Sequence, residues 1–357
     1  MISKEFPLLF SLLRAALWQT PPDAALFVDV NENLWKKIMN IAAQHRVFAL
    51  AVDGAMLLPP QLQPPRMLQL TWVVQIDRIE QRYAYKLSVL QEMEILFAQN
   101  GIKMLHFKGF SLAECFPIPE HREFGDLDIY LFGKTKQGHQ LLLKNGATLS
   151  YCSYKHLCVV FKNIMIENHA FFLNTHDSRK IKASDKILKK IIADSINVQT
   201  WKEFPVEFQA LFYIFHAIHH FSCETFSMRL ITDLVAFWKT NLNKIDIDRY
   251  RQTLKSVGLL KQADALTSLI VNFLQIDNQC VPSFDIDRQF EEIFLYYMFN
   301  NYQPPKDEKG FLSVFKIKWN RFFHRAKSFE LIYPGENHKR FIPSIIYNLR
   351  NRAFFKL

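Results

Sequence analysis

Glycine is scarce in this sequence, 10 in 357 residues, whereas phenylalanine occurs 33 times. So few glycines leave little flexible loop, and so many large rings demand buried positions; a disordered or collagen-like chain is excluded, and long, closely packed helices are predicted. The five cysteines (Cys115, Cys152, Cys158, Cys223 and Cys280) are odd in number, scattered, and contain no C-x-x-C pair. That excludes a disulfide framework and a zinc ribbon, and predicts reduced thiols in a cytoplasmic setting. No uncharged apolar run reaches the roughly 18 residues of a membrane span, so no transmembrane segment is expected. The apolar stretch Phe6 to Leu13 is interrupted by Arg14 and followed by no small-residue cleavage site, so it reads as an amphipathic first helix.

What is present is charge of one sign at one end. The formal net charge is +10, and residues 306–357 carry twelve Lys/Arg against four Asp/Glu. Such a tail suits an anionic membrane surface, nucleic acid or an acidic partner, and charge alone does not choose among them. Phe311, Phe315, Trp319, Phe322 and Phe329 fall at helical steps among these cations, which predicts a helix that packs on its neighbour or lies on a membrane.

Periodicity divides the rest. Helical spacing dominates to about residue 100, broken by Pro59, Pro60, Pro64 and Pro65. The second helical block, Leu68 to Gln99, carries the stripe Ile76, Ile79, Tyr83, Leu87, Leu90 and Leu96, and Asn100-Gly101 ends it. Short β-like runs follow at Ile102–Phe107, Leu127–Leu131, Leu157–Phe161, Ile164–Glu167 and Ala170–Leu173, with Lys162-Asn163 as a hairpin turn and a helix ending at Asn145-Gly146. Helices return at Phe204–Phe221, Met228–Trp238 and Arg288–Phe299. The expected fold class is α+β, a small mixed β-sheet embedded in a predominantly helical protein. Its expected parts are an N-terminal helical region (1–100), a core (101–200), a C-terminal helical region (201–305) and a basic, aromatic-rich tail (306–357).

The chemistry concentrates in Phe107-Lys108-Gly109-Phe110-Ser111 and in Arg122-Glu123-Phe124-Gly125-Asp126-Leu127-Asp128. On a strand, Asp126 and Asp128 point to one side while Leu127 and Ile129 face the core. Two like charges so close call for a cation, and Mg²⁺ favours carboxylate oxygens completed by water and phosphates. By itself the D-x-D pattern also fits surface carboxylates at a strand end. The turn upstream adds Gly109, whose backbone can approach a phosphate, with Lys108 and Ser111 to supply a charge and a hydroxyl; taken alone it is an ordinary strand-to-helix turn. Glu167 sits on a strand that presents its carboxylate toward the Asp pair, or else forms a salt bridge. His169 shares its face and reads as a core or capping histidine, with catalysis the alternative, and His156 and Tyr154 are candidates for a pocket wall. His216, His219 and His220 contain a one-turn helical pair with zinc spacing but no H-E-x-x-H glutamate; they read as structural, linking two helices with Asp233.

These residues resemble the nucleotidyltransferase superfamily of the polymerase-beta type, whose members carry a Gly-Ser turn, an Asp-x-Asp strand and a third acid on a neighbouring strand. Within it the match is closest to the uncharacterised bacterial family with a Lys-Gly turn, an Arg before the Asp pair and an acidic-x-His strand: here Lys108-Gly109, Arg122, Asp126-x-Asp128 and Glu167-Asn168-His169. Leu12-Leu13-Arg14-Ala15-Ala16-Leu17, the helix Trp35–Val47, and His216-Ala217-Ile218-His219-His220 with Asp233 extend the likeness to about residue 240. Lys-Gly-Phe-Ser in place of Gly-Ser, and a long interval from Gly109 to Asp126 with Pro117 and Pro119, depart from the well-studied enzymes. The resemblance implies transfer of an NMP from an NTP to an unidentified acceptor with release of pyrophosphate. Asp126, Asp128 and Glu167 would hold Mg²⁺ or Mn²⁺, Glu167 would also help orient or deprotonate the acceptor, Lys108, Gly109 and Ser111 would hold the phosphates, and Arg122 would neutralise the leaving pyrophosphate or only pin its own loop. The alternative is a catalytically silent module of the same fold that binds a nucleotide or partner. Three converging acids would repel one another without a cation, so Asp128→Asn is expected to leave the metal-free fold as stable as the parent or more stable.

Overall fold

The computed structural model describes residues 4–152, 155–175, 178–194, 204–223, 226–300 and 328–336. The basic tail and Tyr154 therefore lie largely or wholly outside the described residues.

Helix α1 (Glu5–Trp18) is buried on nearly every side, Ser11 included, so the first segment is a core helix and not an amphipathic one. Helix α2 (Glu32–Gln44) starts where the Asn31 side chain accepts the Leu34 N–H, and α3 (Phe48–Met56) follows after a tight break at His45 and Arg46. A Cβ at Gly54 in α3 would lie 2.0 Å from the Leu12 carbonyl oxygen of α1, so only glycine permits this helix crossing. Gly54→Ala is expected to cost about 1–3 kcal/mol through forced separation of the two backbones, read as a lower midpoint in chemical denaturation with the m-value kept.

The proline cluster separates α3 from α4 (Arg66–Gln99), a helix of 34 residues. Its N-terminal half leaves Met67, Val73 and Val74 exposed, and its C-terminal half buries Val89, Leu90, Met93 and Phe97. The predicted stripe thus lies one step to the side of the face that packs: Ile76, Ile79, Tyr83, Leu87 and Leu96 are half-buried, and Leu90 alone of that stripe is fully buried.

The sheet has the order β1-β2-β5-β4-β3. It comprises β1 (Leu105–His106), β2 (Leu127–Tyr130), β3 (Thr148–Cys152), β4 (His156–Phe161) and β5 (Ile164–His169). Only β2 and β5 run parallel; the other pairings are antiparallel. Strand β3 was not legible in the sequence, the first strand is shorter than Ile102–Phe107, and Ala170–Leu173 forms no strand. Leu173 and Phe172 instead give their backbone N–H groups to buried Asp185, an irregular stretch held by a side chain. Between β1 and β2 lies the short helix α5 (Phe110–Ala113), and α6 (Thr135–Lys144) follows β2.

One sheet face buries Leu127, Ile129, Ile166 and Val159 against α4 and the helix α6. The other turns toward the second helical region: α7 (Arg179–Asp194), α8 (Val206–Cys223), α9 (Met228–Asn241), α10 (Ile247–Ser256), α11 (Leu260–Leu274) and α12 (Arg288–Phe299). There Phe107, Phe172, Phe208 and Phe212 pack ring to ring, continuous with α1 to α3, so the two helical regions share one core around the sheet. Among the described residues no helix is long and apolar enough to cross a membrane.

The loop before β2 is tied down by a bridging histidine. His121 Nδ1 lies 2.7 Å from Asp53 of α3, and its Nε2 lies 3.0 Å from Glu80 of α4. Burial lowers the affinity of this ring for a proton, but the bonds to Asp53 and Glu80 outweigh it and raise its pKa above the usual value. The bridge therefore stabilises fully below about pH 6.5 and is lost as pH rises through the higher folded-state value. His121→Gln should cost about 1–2 kcal/mol at pH 6, and thermal melts of the two proteins should converge toward pH 9.

Candidate active site

In the parallel pairing of β2 with β5, Asp128 sits directly opposite Glu167, and Tyr130 opposite His169. Alternation along β5 places Glu167 and His169 on one face, while Leu127, Ile129 and Ile166 go to the core behind it. His169 Nε2 lies 3.0 Å from Asp128 Oδ1 and 3.3 Å from Glu167 Oε2, and its Nδ1 lies 3.0 Å from the Phe171 carbonyl oxygen. The remaining Asp128 oxygen, Oδ2, is 3.3 Å from the Lys108 ammonium, an ion-pair distance, yet it accepts no hydrogen bond. His156 Nδ1 stands 3.7 Å from Glu167.

The turn that delivers Lys108 is built around Gly109. Its φ is +67°, and a Cβ there would come within 3.0 Å of His106 Nε2 and of the Phe124 ring, so glycine is required on both counts. Buried His106 ties the turn to the strand: Nδ1–H donates to the Asp128 carbonyl oxygen at 2.9 Å, and Nε2 accepts the Phe110 N–H at 3.3 Å. Burial lowers its pKa to about 4, which keeps the neutral ring that this double role needs.

Electrostatically the site is balanced before any ligand arrives. Burial pushes the Asp128 carboxyl up, but Lys108 and His169 overcome this and hold it well below the usual range. Burial opposes the charge on Lys108, and Asp128 with Asp126 more than restores it. Burial, and then Lys155, oppose the imidazolium of His169, and its bonds to Asp128 and Glu167 raise its pKa. His156, by contrast, is lowered to about 3 by burial.

Of the residues singled out from sequence, the fold brings together Lys108, Asp128 and Glu167, and adds His169. Asp128, Glu167 and His169 offer ligand atoms within 4.8 Å of one another, as do His156, Cys158 and Glu167. Asp126 is in neither group; it stands immediately before β2, and with Asp128 it favours the charge on Lys108. Arg122 is fully engaged elsewhere. Its Nε and Nη2 grip Asp233 of α9 at 2.8 and 2.9 Å, and Nη1 donates to the Gly109 carbonyl oxygen at 3.1 Å. The Ser111 hydroxyl meets the Tyr213 hydroxyl at 3.2 Å. Asp233 thus binds Arg122 rather than linking the histidines; His216 stacks on Phe212, with its pKa driven well below normal by burial. Lys155, whose charge acts on Asp128 and His169, was the least visible in sequence. The acid-x-His spacing was the signal for His169, and none marks Lys155.

A family model described as uncharacterised nucleotidyltransferase matches residues 31–275, more than half of the chain and all of this site. The chain belongs to that nucleotidyltransferase family. No curated protein and no solved structure matches it. Membership makes the five-stranded sheet a nucleotidyltransferase-type sheet and supports a transferase.

The donor set fits a divalent cation. A buried carboxylate oxygen accepts no hydrogen bond, a second carboxylate stands opposite it across the strand pair, and His169 bridges the two through Nε2 while Nδ1–H on a backbone carbonyl fixes the ring.

Proposed function

We propose that this chain transfers a nucleoside monophosphate from an NTP to an acceptor hydroxyl and releases pyrophosphate. The observation that carries this reading is the pairing of Asp128 with Glu167 on adjacent parallel strands beside the Lys-Gly turn, in a member of a nucleotidyltransferase family. Asp126, Asp128 and Glu167 would hold Mg²⁺ or Mn²⁺, with His169 beside them bonded to two of the three carboxylates. Bound there, the ion supplies Lewis-acid stabilisation of phosphoryl oxygens.

The chain's own residues orient the reactants. Glu167, 21% exposed at its side chain, is the carboxylate of the set that reaches the surface. It takes the acceptor's proton as the acceptor oxygen bonds to the α-phosphorus and the bond from that phosphorus to the bridging oxygen breaks, releasing pyrophosphate. His169 holds both carboxylates in place, and Lys108 keeps Asp128 ionised. Arg122 positions the Gly109 turn. We assign this chemistry to residues 101–200, with the helical regions on either side as its frame.

A specific feature favours the silent-module reading: the Lys108 ammonium already stands beside Asp128 as a cation would. Incubation of the full chain with each labelled NTP, Mg²⁺ or Mn²⁺ and cell extract separates the two. A labelled product lost in Glu167→Gln supports transfer and exposes the acceptor; metal-dependent NTP binding without product from any extract supports the module.

A further inference from the structure

The residues expected from sequence to hold phosphates are committed to protein partners: Lys108 to Asp128, the Ser111 hydroxyl to Tyr213, and Arg122 to Asp233 and Gly109. A different set of cations surrounds the segment that runs into Asp126. Arg229 of α9 reaches the Glu123 carbonyl oxygen at a long 3.5 Å. Lys86 of α4, 3% exposed, donates to the Phe124 carbonyl oxygen and sits 4.4 Å from the Phe124 ring centroid. Arg46, turned by a φ of +56° at the α2–α3 junction, places Nη1 3.9 Å from where a Gly125 Cβ would stand. Arg82 lies one helical turn before Lys86 on α4, exposed.

Glu123 and Asp233 balance part of this charge, and both are shared with other partners. Glu123 accepts the Phe48 and Ala49 N–H groups at the start of α3, Asp233 is taken by Arg122, and Asp128 by Lys108 and His169. Asp126 favours the charge on Lys86 and Arg229, and also on Lys108. Arg229 is 8% exposed, and its buried Nε has no hydrogen-bond partner. Burying a guanidinium with a donor unmet is costly unless a ligand completes it. The cations also repel one another: burial first, and then Arg82 nearby, lower the Lys86 pKa to about 8.

We propose that Arg46, Arg82, Lys86 and Arg229 form the pocket that receives the phosphate chain of a nucleotide, next to Asp126. The proposal rests on the transfer reading above and deepens it by placing the polyphosphate. Arginine forks match phosphate oxygens in pairs, and an anion here relieves the cation repulsion while meeting the Arg229 donor. It also brings phosphate oxygens to Asp126, the acidic residue that lies outside the converging donor set.

The test uses the full chain and tripolyphosphate, which carries the charge without a nucleoside. Thermal melts of the parent should rise with millimolar tripolyphosphate in the absence of metal. Arg46→Ala and Arg82→Ala are exposed changes that should melt as the parent does alone, each with a smaller rise, and the double variant should show none. In the labelled-NTP assay the double variant should raise KM for NTP about ten-fold or more. An unchanged tripolyphosphate response in the double variant, no response in the parent, or a rise with a short oligoribonucleotide in place of tripolyphosphate would overturn the pocket. Transfer that persists in the double variant with parental KM removes the pocket and leaves the transfer reading intact. A parent that binds tripolyphosphate through these arginines but makes no product with any extract keeps the pocket and removes the transfer reading.

Discussion

Asp128→Asn is expected to destabilise the metal-free protein by about 3 kcal/mol or more, because it strands a buried Lys108 ammonium and the imidazolium of His169 without their shared counter-charge. This reverses the expectation from sequence. Three converging acids would gain from losing one charge; the structure instead shows Asp128 enclosed by cations, its side chain 3% exposed and that of Lys108 12% exposed. The asparagine amide keeps a hydrogen bond to His169 but cannot answer the ammonium. Denaturant melts of parent and variant without metal measure the cost, and Lys108→Met in the Asp128→Asn background should return part of it. The same variant should lose the rise in Tm that Mg²⁺ with NTP gives the parent, and lose NMP transfer. Equal stability of the variant and the parent would show that Lys108 does not depend on Asp128.

Asp233→Asn should carry a comparable penalty, about 3–5 kcal/mol, since it leaves the Arg122 guanidinium, 1% exposed at its side chain, in the core without its counter-charge and with one of its three hydrogen bonds removed. The effect should extend to function. Arg122 is bonded both to α9 and to the Gly109 carbonyl oxygen, so releasing it loosens the turn that sets Lys108 against Asp128. Labelled-NTP turnover should fall at least about ten-fold with the loss of that positioning. The double variant Arg122→Met, Asp233→Leu removes both charges and should recover stability without recovering turnover. Recovery of both would show that the ion pair does not position the turn.

The residues named from sequence divide by whether their roles depend on local or distant partners. Lys108-Gly109 and the alternation Leu127-Asp128-Ile129 are local patterns, and the turn and strand follow from them. Glu167 and His169 are two apart on a strand, which is enough to put them on one face. That Asp128 faces Glu167 is set by a parallel register between strands 39 residues apart in sequence, and no pattern within either strand carries it. Asp126 stands one residue before β2, and no converging donor set among the described residues includes it.

The helical frame was readable at α9 and α12, at α4 in extent but not in its buried face, and least readable where burial is complete. In α1 almost every position is buried, so no polar face marks its orientation. Strand β3, Thr148-Leu149-Ser150-Tyr151-Cys152, is an edge strand whose Thr148, Leu149 and Ser150 are all exposed, so no buried face marks it in sequence.

By itself, the sequence determined the α+β class, the helix-rich composition, the turn and the two strands that bear the acids, because these depend on spacing along a few residues. Tertiary structure alone decided which charges meet. It gave Arg122 to Asp233 instead of a phosphate, enclosed Asp128 between Lys108 and His169, and gathered Arg46, Arg82, Lys86 and Arg229 from three separate segments beside Asp126. Coulomb and desolvation energies depend on distance and burial in three dimensions, and neither is written in the spacing of residues along the chain.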